Sequence, residues 1–468
     1  MPVRASSDLR SAFLGALAGA AVATLPGRAG IGAALAGAAA GAVLGGRLAR
    51  TRPGFSPWSL SLLVFFAPLF TMPVAPGADM AMHVALARGL LDGVLSPAWP
   101  GVEVAAYPRG FSAVVALLSP LGLARASLVA AALSFLVCWE GLTATLEALQ
   151  TPAARTVAAV AMLLSRRPQL FFEWGGDPTA LAIGLALFGA AQRGPVAALF
   201  FAGAAAVHPM GAVAGALAVA LLAVKRQSWS DVAFCALGLA AVLGALAVFG
   251  PQFSPRETQW VRDYALHAEH VGSGVLGDPA NVATIAAAAF LLWKRDFRAV
   301  AEAAVAVVAL AAVFALLPHL ALYPARFSPL LLLAVAPLWA RAATSRIQIL
   351  APLALLVALP FHLRWFQQAE PMATDADLAA IACVAASTPA NAVIDGAYGD
   401  ATQWIPALTG RAVTRPHPHV SLFDETDAAI ARLPSPQWRF VGDRLRYPSA
   451  IAPPPAGPSL CEGHLFKL

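Results

Sequence analysis

Charge is what this chain has least of. Charged side chains make up 12% of its 468 residues and hydrophobic ones 59%. Soluble domains carry about 25% charged residues, so a deficit of this size excludes water as the solvent for most of the chain. Missing too are the ten-residue segments of alternating hydrophobicity that build a closed barrel, which leaves helices as the spanning element. Cysteine is scarce: there are four, with no C-x-x-C metal pattern. Cys138 and Cys235 lie in apolar runs and read as core residues. Cys383 and Cys461 lie near the C-terminus, where pairing is open to them if that region reaches an oxidising compartment. No Walker motif, no G-x-S-x-G and no dinucleotide fingerprint is present, which argues against a nucleotide-driven pump.

What is present is a succession of Ala-, Gly- and Leu-rich apolar runs, a composition suited to close helix packing in lipid. They fall near 10–27, 29–46, 57–75, 110–123, 126–148, 155–172, 178–192, 195–207, 209–224, 231–250, 280–293, 299–318, 327–342 and 347–365. Several are shorter than the ~20 residues a helical crossing takes. The start MPVRASSDLR, with its following apolar run, reads as an uncleaved first helix, because so many spans come after it. The expected fold is an all-α polytopic membrane bundle of about 11 to 14 spans with a small C-terminal α/β extracytoplasmic domain. Residues 1–56 would form a Gly/Ala-rich helical hairpin, 57–365 the multi-span membrane domain, and 366–468 the soluble domain.

Charge is also unevenly placed. Residues 1–365 hold 24 Lys/Arg against 15 Asp/Glu, and residues 366–468 hold 7 against 10. The high whole-chain pI is therefore no nucleic-acid signal; it fits basic cytoplasmic loops and an acidic exported tail. Arg47, Arg50 and Arg52 mark one cytoplasmic loop, as do Lys225 and Arg226, the group Lys294, Arg295 and Arg298, and Arg341 with Arg346. The loops 76–109 and 251–279, the stretch 318–326 and the tail then fall on the opposite face, and 171–178 is assigned there too. The count is off by one span between 110 and 175, so either 110–123 does not cross or a neighbour is broken. The expected location is the inner (cytoplasmic) membrane, multi-pass, with the tail outside.

In the tail, DADLAAIACVAAST, ATQWIPALTG and DETDAAIARL read as helices, and NAVIDG, RAVTRP and WRFVG as strands. IAPPPAGPS reads as a linker-like end.

Ionisable groups collect at one membrane face. Asp79 follows the turn signal Pro76-Gly77 and suits a helix start. His83 is one turn further on, in a short amphipathic helix over 80–92 expected to lie along the interface. A cap and an interfacial imidazole account for this pair structurally. Glu173 and Asp177 flank a Trp-Gly-Gly turn between two apolar runs. Asp177 also suits a helix start, whereas Glu173 follows an apolar pair and is harder to explain as structure. Acids at a membrane boundary are functional candidates. His208-Pro209 breaks two short spans, and Arg326 opens another. A guanidinium there suits a phosphate head group, although simple snorkelling to water also explains it.

The loop from Asp79 resembles the first external loop of the GT-C membrane glycosyltransferases, which include protein mannosyltransferases and the aminoarabinose transferases of lipid A. The likeness rests on the D-x-x-x-H step from Asp79 to His83, the helix through Arg88, and Tyr107-Pro108-Arg109-Gly110-Phe111. Weaker echoes are the Trp-Gly-Gly turn, His208-Pro209 and Tyr323-Pro324-Ala325-Arg326. Met80 stands where several members carry a second acid. The resemblance implies transfer of a sugar from a polyprenyl-phosphate carrier to an extracytoplasmic acceptor hydroxyl, with inversion. Asp79 would be general base, and Glu173 or Asp177 the second acid. His83, Tyr107, His208 and Arg326 would bind substrate. Arg326 or a divalent metal ion would stabilise the departing phosphate, and metal dependence stays open. Partners would be membrane lipid, the lipid-linked sugar and the acceptor, with no nucleic acid. Two other classes remain: a transporter or flippase for a lipid-linked glycan, with acids at mid-span and an inverted repeat, and a non-catalytic membrane scaffold subunit.

Overall fold

The computed structural model describes residues 9–24, 31–48, 65–77, 79–93, 97–99, 102–103, 108–165, 176–192, 195–226, 278–317, 324–343, 346–369, 371–397, 399–415, 430–443 and 457–468, with a few single positions between them. The fold is predominantly helical and carries a small five-stranded sheet at its C-terminal end. Residues 57–64 and 251–277, most of 231–250 and half of DETDAAIARL lie outside the described residues.

Helices α1 (Leu9–Ala23) and α2 (Ile31–Leu48) form the hairpin. Their glycines bring backbone against backbone: a Cβ on Gly19 would lie 2.0 Å from the Gly37 carbonyl oxygen, and one on Gly15 2.2 Å from that of Gly41. Helix α3 is Asp79–Asp92 and α4 is Gly110–Leu117, with the short antiparallel strands β1 (Pro97–Trp99) and β2 (Val102–Glu103) between them. At eight residues α4 is about 12 Å long and cannot cross a bilayer core of ~30 Å. It ends in a 3-10 turn, Ser119–Leu121, and Gly122 at φ 82°. The helix Ala154–Leu164, at 11 residues, is also shorter than a crossing, so both the 110–123 stretch and a neighbour of it before residue 175 are short.

Next come α5 (Leu123–Ala148), α6 (Ala154–Leu164), α7 (Asp177–Ala191), α8 (Pro195–Val207) and α9 (Pro209–Arg226). Helices α5 and α7 cross with Gly141 on Gly184, and the Thr145 hydroxyl donates across the crossing to the Leu187 carbonyl at 2.9 Å. The hairpin is no separate body, since α1 packs on α4 and α8. Arg10 ion-pairs with Glu140 inside that packing, and both side chains are buried. The outer helices are α10 (Pro279–Trp293), α11 (Phe297–Leu316), α12 (Leu331–Ala343) and α13 (Ile347–Gln368). Among the described residues, two helices are long and apolar enough to cross a membrane, α5 and α11; seven more stretches are apolar but shorter. Helix α11 has no buried residue, with Val305 and Val308 about 70% and 67% exposed.

Helix α3 departs from the expected amphipathic, interface-lying helix. Met80 to Ala87, Gly89 and Leu90 are buried on every face. Between its terminal acids only His83 and Arg88 are ionisable and the rest is apolar or small, and a helix apolar on most of its faces belongs inside. It is covered by α4 and by the C-terminal domain.

That domain holds α14 (Asp375–Ser387), β3 (Val393–Asp395), α15 (Trp404–Thr409), β4 (Ala412–Val413) and β5 (Trp438–Phe440). The expected strands and two expected helices are these elements. The chain beyond the prolines is not a loose end: β6 (Ser459–Leu460) and β7 (Leu465–Lys467) complete the sheet in the order β4-β3-β5-β7-β6. The β3–β4 and β3–β5 pairs are parallel, and the β5–β7 and β6–β7 pairs antiparallel. Cys383 and Cys461 are joined as a disulfide, which ties α14 to the last turn.

Candidate functional site

Four helix breaks meet at one end of the bundle. Ahead of α3 the chain is fastened on two sides. The Ala75 N–H donates to the Ser127 hydroxyl of α5 at 3.1 Å, and Pro76 bridges to Pro371 at the start of the C-terminal domain. Gly77, at φ 97°, makes the turn that a side chain would resist. Asp79 opens α3, and His83 lies one turn on, buried, with its ring edge-on to Phe111 at 5.2 Å.

Asp177 opens α7 ahead of Pro178, a residue pre-set for the first helical turn. The Gly176 N–H closes the preceding loop onto the Phe171 carbonyl at 2.6 Å. The Asp177 carboxyl is fully buried, and among the described residues neither oxygen has a hydrogen-bond partner. Burying a carboxylate without a partner costs several kcal/mol. A proton, a cation or a ligand hydroxyl removes that cost.

The third break is His208-Pro209, between α8 and α9. His208 Nδ1 lies 3.2 Å from the Met210 N–H, and Nε2 lies 3.2 Å from Arg326 Nη1. Arg326 belongs to the fourth break, the 3-10 turn Pro324–Leu330 that leads into α12. Burial holds the His208 pKa well below 6.5, and the charges of Arg326 and His83 lower it further while Asp79 opposes them. The ring is therefore neutral at physiological pH. Asp79 also acts electrostatically on Asp177. Asp79 thus lies within electrostatic reach of both Asp177 and His208, and His208 within reach of His83 and Arg326. Glu173 and Tyr107 lie outside the described residues.

Arg109 was quoted in the sequence motif but not singled out as a site residue. It is buried at the start of α4. Next to it, Gly110 sits so close to α8 that a Cβ there would be 2.7 Å from the Ala206 carbonyl oxygen, two residues from His208. The Pro-Arg-Gly turn was readable, but the burial of its cation depends on α8, far away in sequence.

Two acids at helix N-termini sit where the helix dipoles favour negative charge. They can take a proton from a hydroxyl or hold a cation. Among the described residues, no three ligand atoms of this cluster gather within the 4.8 Å that a ready-made metal site shows.

No family model matches the chain, and no curated protein matches it in sequence. Its structure is similar to the cryo-EM structure of the arabinofuranosyltransferase AftD from Mycobacteria, with a TM-score of 0.48 and 18% identity. The likeness covers 78% of this chain and 32% of that one, so the chain spans about a third of the neighbour's length. At this level of likeness no residue of one chain is matched to a residue of the other.

Proposed function

We propose that this chain is a polytopic GT-C-type membrane glycosyltransferase that moves a sugar from a polyprenyl-phosphate donor to an extracytoplasmic hydroxyl. The observation that carries the reading is the meeting of Asp79, Asp177, His208 and Arg326 at one end of the bundle, with the Asp177 carboxyl buried and unbonded.

Membrane embedding is supported by the outer surface. Leu35 and Val43 on α2, Val282 and Ile285 on α10, Val305 and Val308 on α11, and Leu356 and Val357 on α13 all face outward. Water disfavours an apolar surface of this extent and lipid does not. Trp293 is 73% exposed at the end of α10, with the Lys294 ammonium over its ring at 4.5 Å. An aromatic and a cation together suit a head-group boundary.

In the proposed reaction the acceptor oxygen forms a bond to the anomeric carbon, and its proton passes to Asp79 or Asp177. The bond from that carbon to the phosphate oxygen breaks, and its electron pair leaves with the polyprenyl phosphate. Arg326 meets the charge that grows on the phosphate, with neutral His208 steadying the guanidinium. Keeping the imidazole neutral leaves the local positive charge on Arg326.

The test is transfer by purified protein from radiolabelled polyprenyl-phosphate pentoses and hexoses to a glycan acceptor. Asp79→Asn and Asp177→Asn should each lower transfer by about 10²-fold or more, the scale of general-base help, with normal expression and melting. Asn caps a helix about as well as Asp. Full transfer by both variants would return the two acids to a capping role and remove the basis for the reading.

A further inference from the structure

A second cluster of ionisable groups lies in the C-terminal domain, with no part in the reaction above. Asp377 is in the first turn of α14, Asp443 follows β5, and His464 precedes β7. One ligand atom from each lies within 4.8 Å of the other two. We propose that these three residues bind a divalent metal ion, with a borderline transition ion such as Zn²⁺ or Mn²⁺ suited to one imidazole and two carboxylates.

Three observations carry this. The first is orientation. His464 Nδ1 lies 2.8 Å from the Val441 carbonyl oxygen, so that nitrogen carries the proton and donates it there. That leaves Nε2 to face an ion, 3.6 Å from Asp443 Oδ1, while Asp377 Oδ1 lies 3.9 Å from the Nδ1 side of the same ring. Two ligands about 2.0–2.2 Å from one ion in tetrahedral geometry sit roughly 3.4 Å apart. A backbone carbonyl that fixes the tautomer of a ligating histidine is the usual outer-sphere arrangement.

The second is rigidity. Asp377 is fully buried. Its Oδ2 accepts from the Thr374 N–H at 2.8 Å and from the Thr374 hydroxyl at 3.0 Å, and its Oδ1 accepts from the Asp443 N–H at 2.8 Å. The same carboxylate that caps α14 thereby holds the Asp443 backbone in place.

The third is charge. Asp400 is buried beside them, accepting from the Gly442 N–H at 3.2 Å. Among the described residues no Lys or Arg ion-pairs with Asp377, Asp400 or Asp443. Three acids around one imidazole leave negative charge in a mostly dry corner, and a cation offsets it. The three ligands come from three separate segments, so the ion would fasten the start of α14, the end of β5 and the start of β7 together.

The experiment uses the full chain in detergent, stripped with EDTA and dialysed against Zn²⁺ alone or Mn²⁺ alone. Expected is one equivalent of Zn²⁺ or Mn²⁺ in the tail, with a rise in melting temperature on metal addition. His464→Gln and Asp443→Asn should weaken that binding by more than the roughly 10–100-fold that loss of an outer-sphere partner costs. Asp443 is exposed, so its variant folds, which separates lost binding from lost structure. Asp79→Asn with Asp177→Asn should leave this equivalent in place, so the result stands apart from the transferase reading. Binding equal in wild type and both tail variants would overturn the proposal. So would no bound metal at all, which would leave a histidine–carboxylate contact only.

Discussion

Arg326 is where residue chemistry bears most directly on the proposed reaction. Its guanidinium lies beside a neutral imidazole, in the 3-10 turn that leads into a helix. A bidentate fork and a point charge differ there. We expect Arg326→Lys to lower transfer on the order of tenfold, and Arg326→Ala on the order of a hundredfold. Those figures match one or two charge-assisted hydrogen bonds at about 1.5–3 kcal/mol each. Donor binding by isothermal titration should weaken in the Ala variant while binding of a phosphate-free acceptor does not. Full activity of the Lys variant would reduce Arg326 to a snorkelling cation. The positions of Asp79, Asp177, His208 and Arg326 were readable because each stands at a local break: a turn ahead of an apolar run, or a residue beside proline. The unbonded oxygens of Asp177 and the burial of Arg109 were not readable, because both depend on helices remote in sequence.

Among the elements, glycine decides how closely helices approach. A Cβ on Gly184 would lie 2.5 Å from the Cys138 nitrogen and the Val137 carbonyl oxygen, both backbone atoms that cannot swing away. Gly184→Ala should therefore cost about 1–3 kcal/mol through overpacking, seen as a lower melting temperature in detergent. Gly32→Ala, with nothing within 4 Å of its Cβ, is the control and should be neutral or mildly stabilising. Equal melting of the two variants would mean that the crossing can spread at no cost. The glycine spacing of α1 and α2 announced close packing in the sequence, but their contacts with α4 and α8 were hidden. The misreading of α3 has a plain cause: Met82, Leu86 and Leu90 suggest one apolar stripe, and the small residues between them conceal that the other face is apolar too. In the C-terminal domain, burial pushes the Asp400 carboxyl up to about 6 from its ordinary 3.8, against the bonds from Thr402 and Gly442 that lower it. The folded state thus favours the neutral acid. The stability this brings is whole below pH 3.8, shrinks as pH rises, and is gone above about pH 6. Asparagine does not titrate, so the melting temperature of wild type minus that of Asp400→Asn, measured in EDTA, should fall between pH 4 and pH 6. A flat difference would show that Asp400 is not shifted.

For the whole molecule, the C-terminal domain rests on the helix that carries Asp79. Arg88 Nη1 donates to the Leu408 carbonyl at 2.9 Å, and Pro76 bridges to Pro371. Two segments in contact share one side of any membrane, so the loop after residue 76 and the tail have a single orientation between them. We expect cysteines at Asp92 and Ala390 to react with an impermeant thiol reagent on intact cells, and one at Arg298 to react only after permeabilisation. Labelling of the first two under opposite conditions would break the proposed topology. The basic clusters suggested this arrangement from sequence, while the direct seat of the domain on α3 was invisible there, since it joins residues about 320 positions apart.

The strand order of that domain also has a consequence in time. Strand β7 pairs with both β5 and β6, yet it is the last of the five to be synthesised. Helices α1 to α15 are therefore made, and the parallel pairs at β3 can already form, while the other edge of β5 stands open and Cys383 awaits Cys461. During that interval the nascent domain presents an unpaired strand edge and an unpaired thiol. Those are the features that folding helpers and thiol oxidases engage, so under the proposed export of this domain its maturation is exposed to them until β7 arrives.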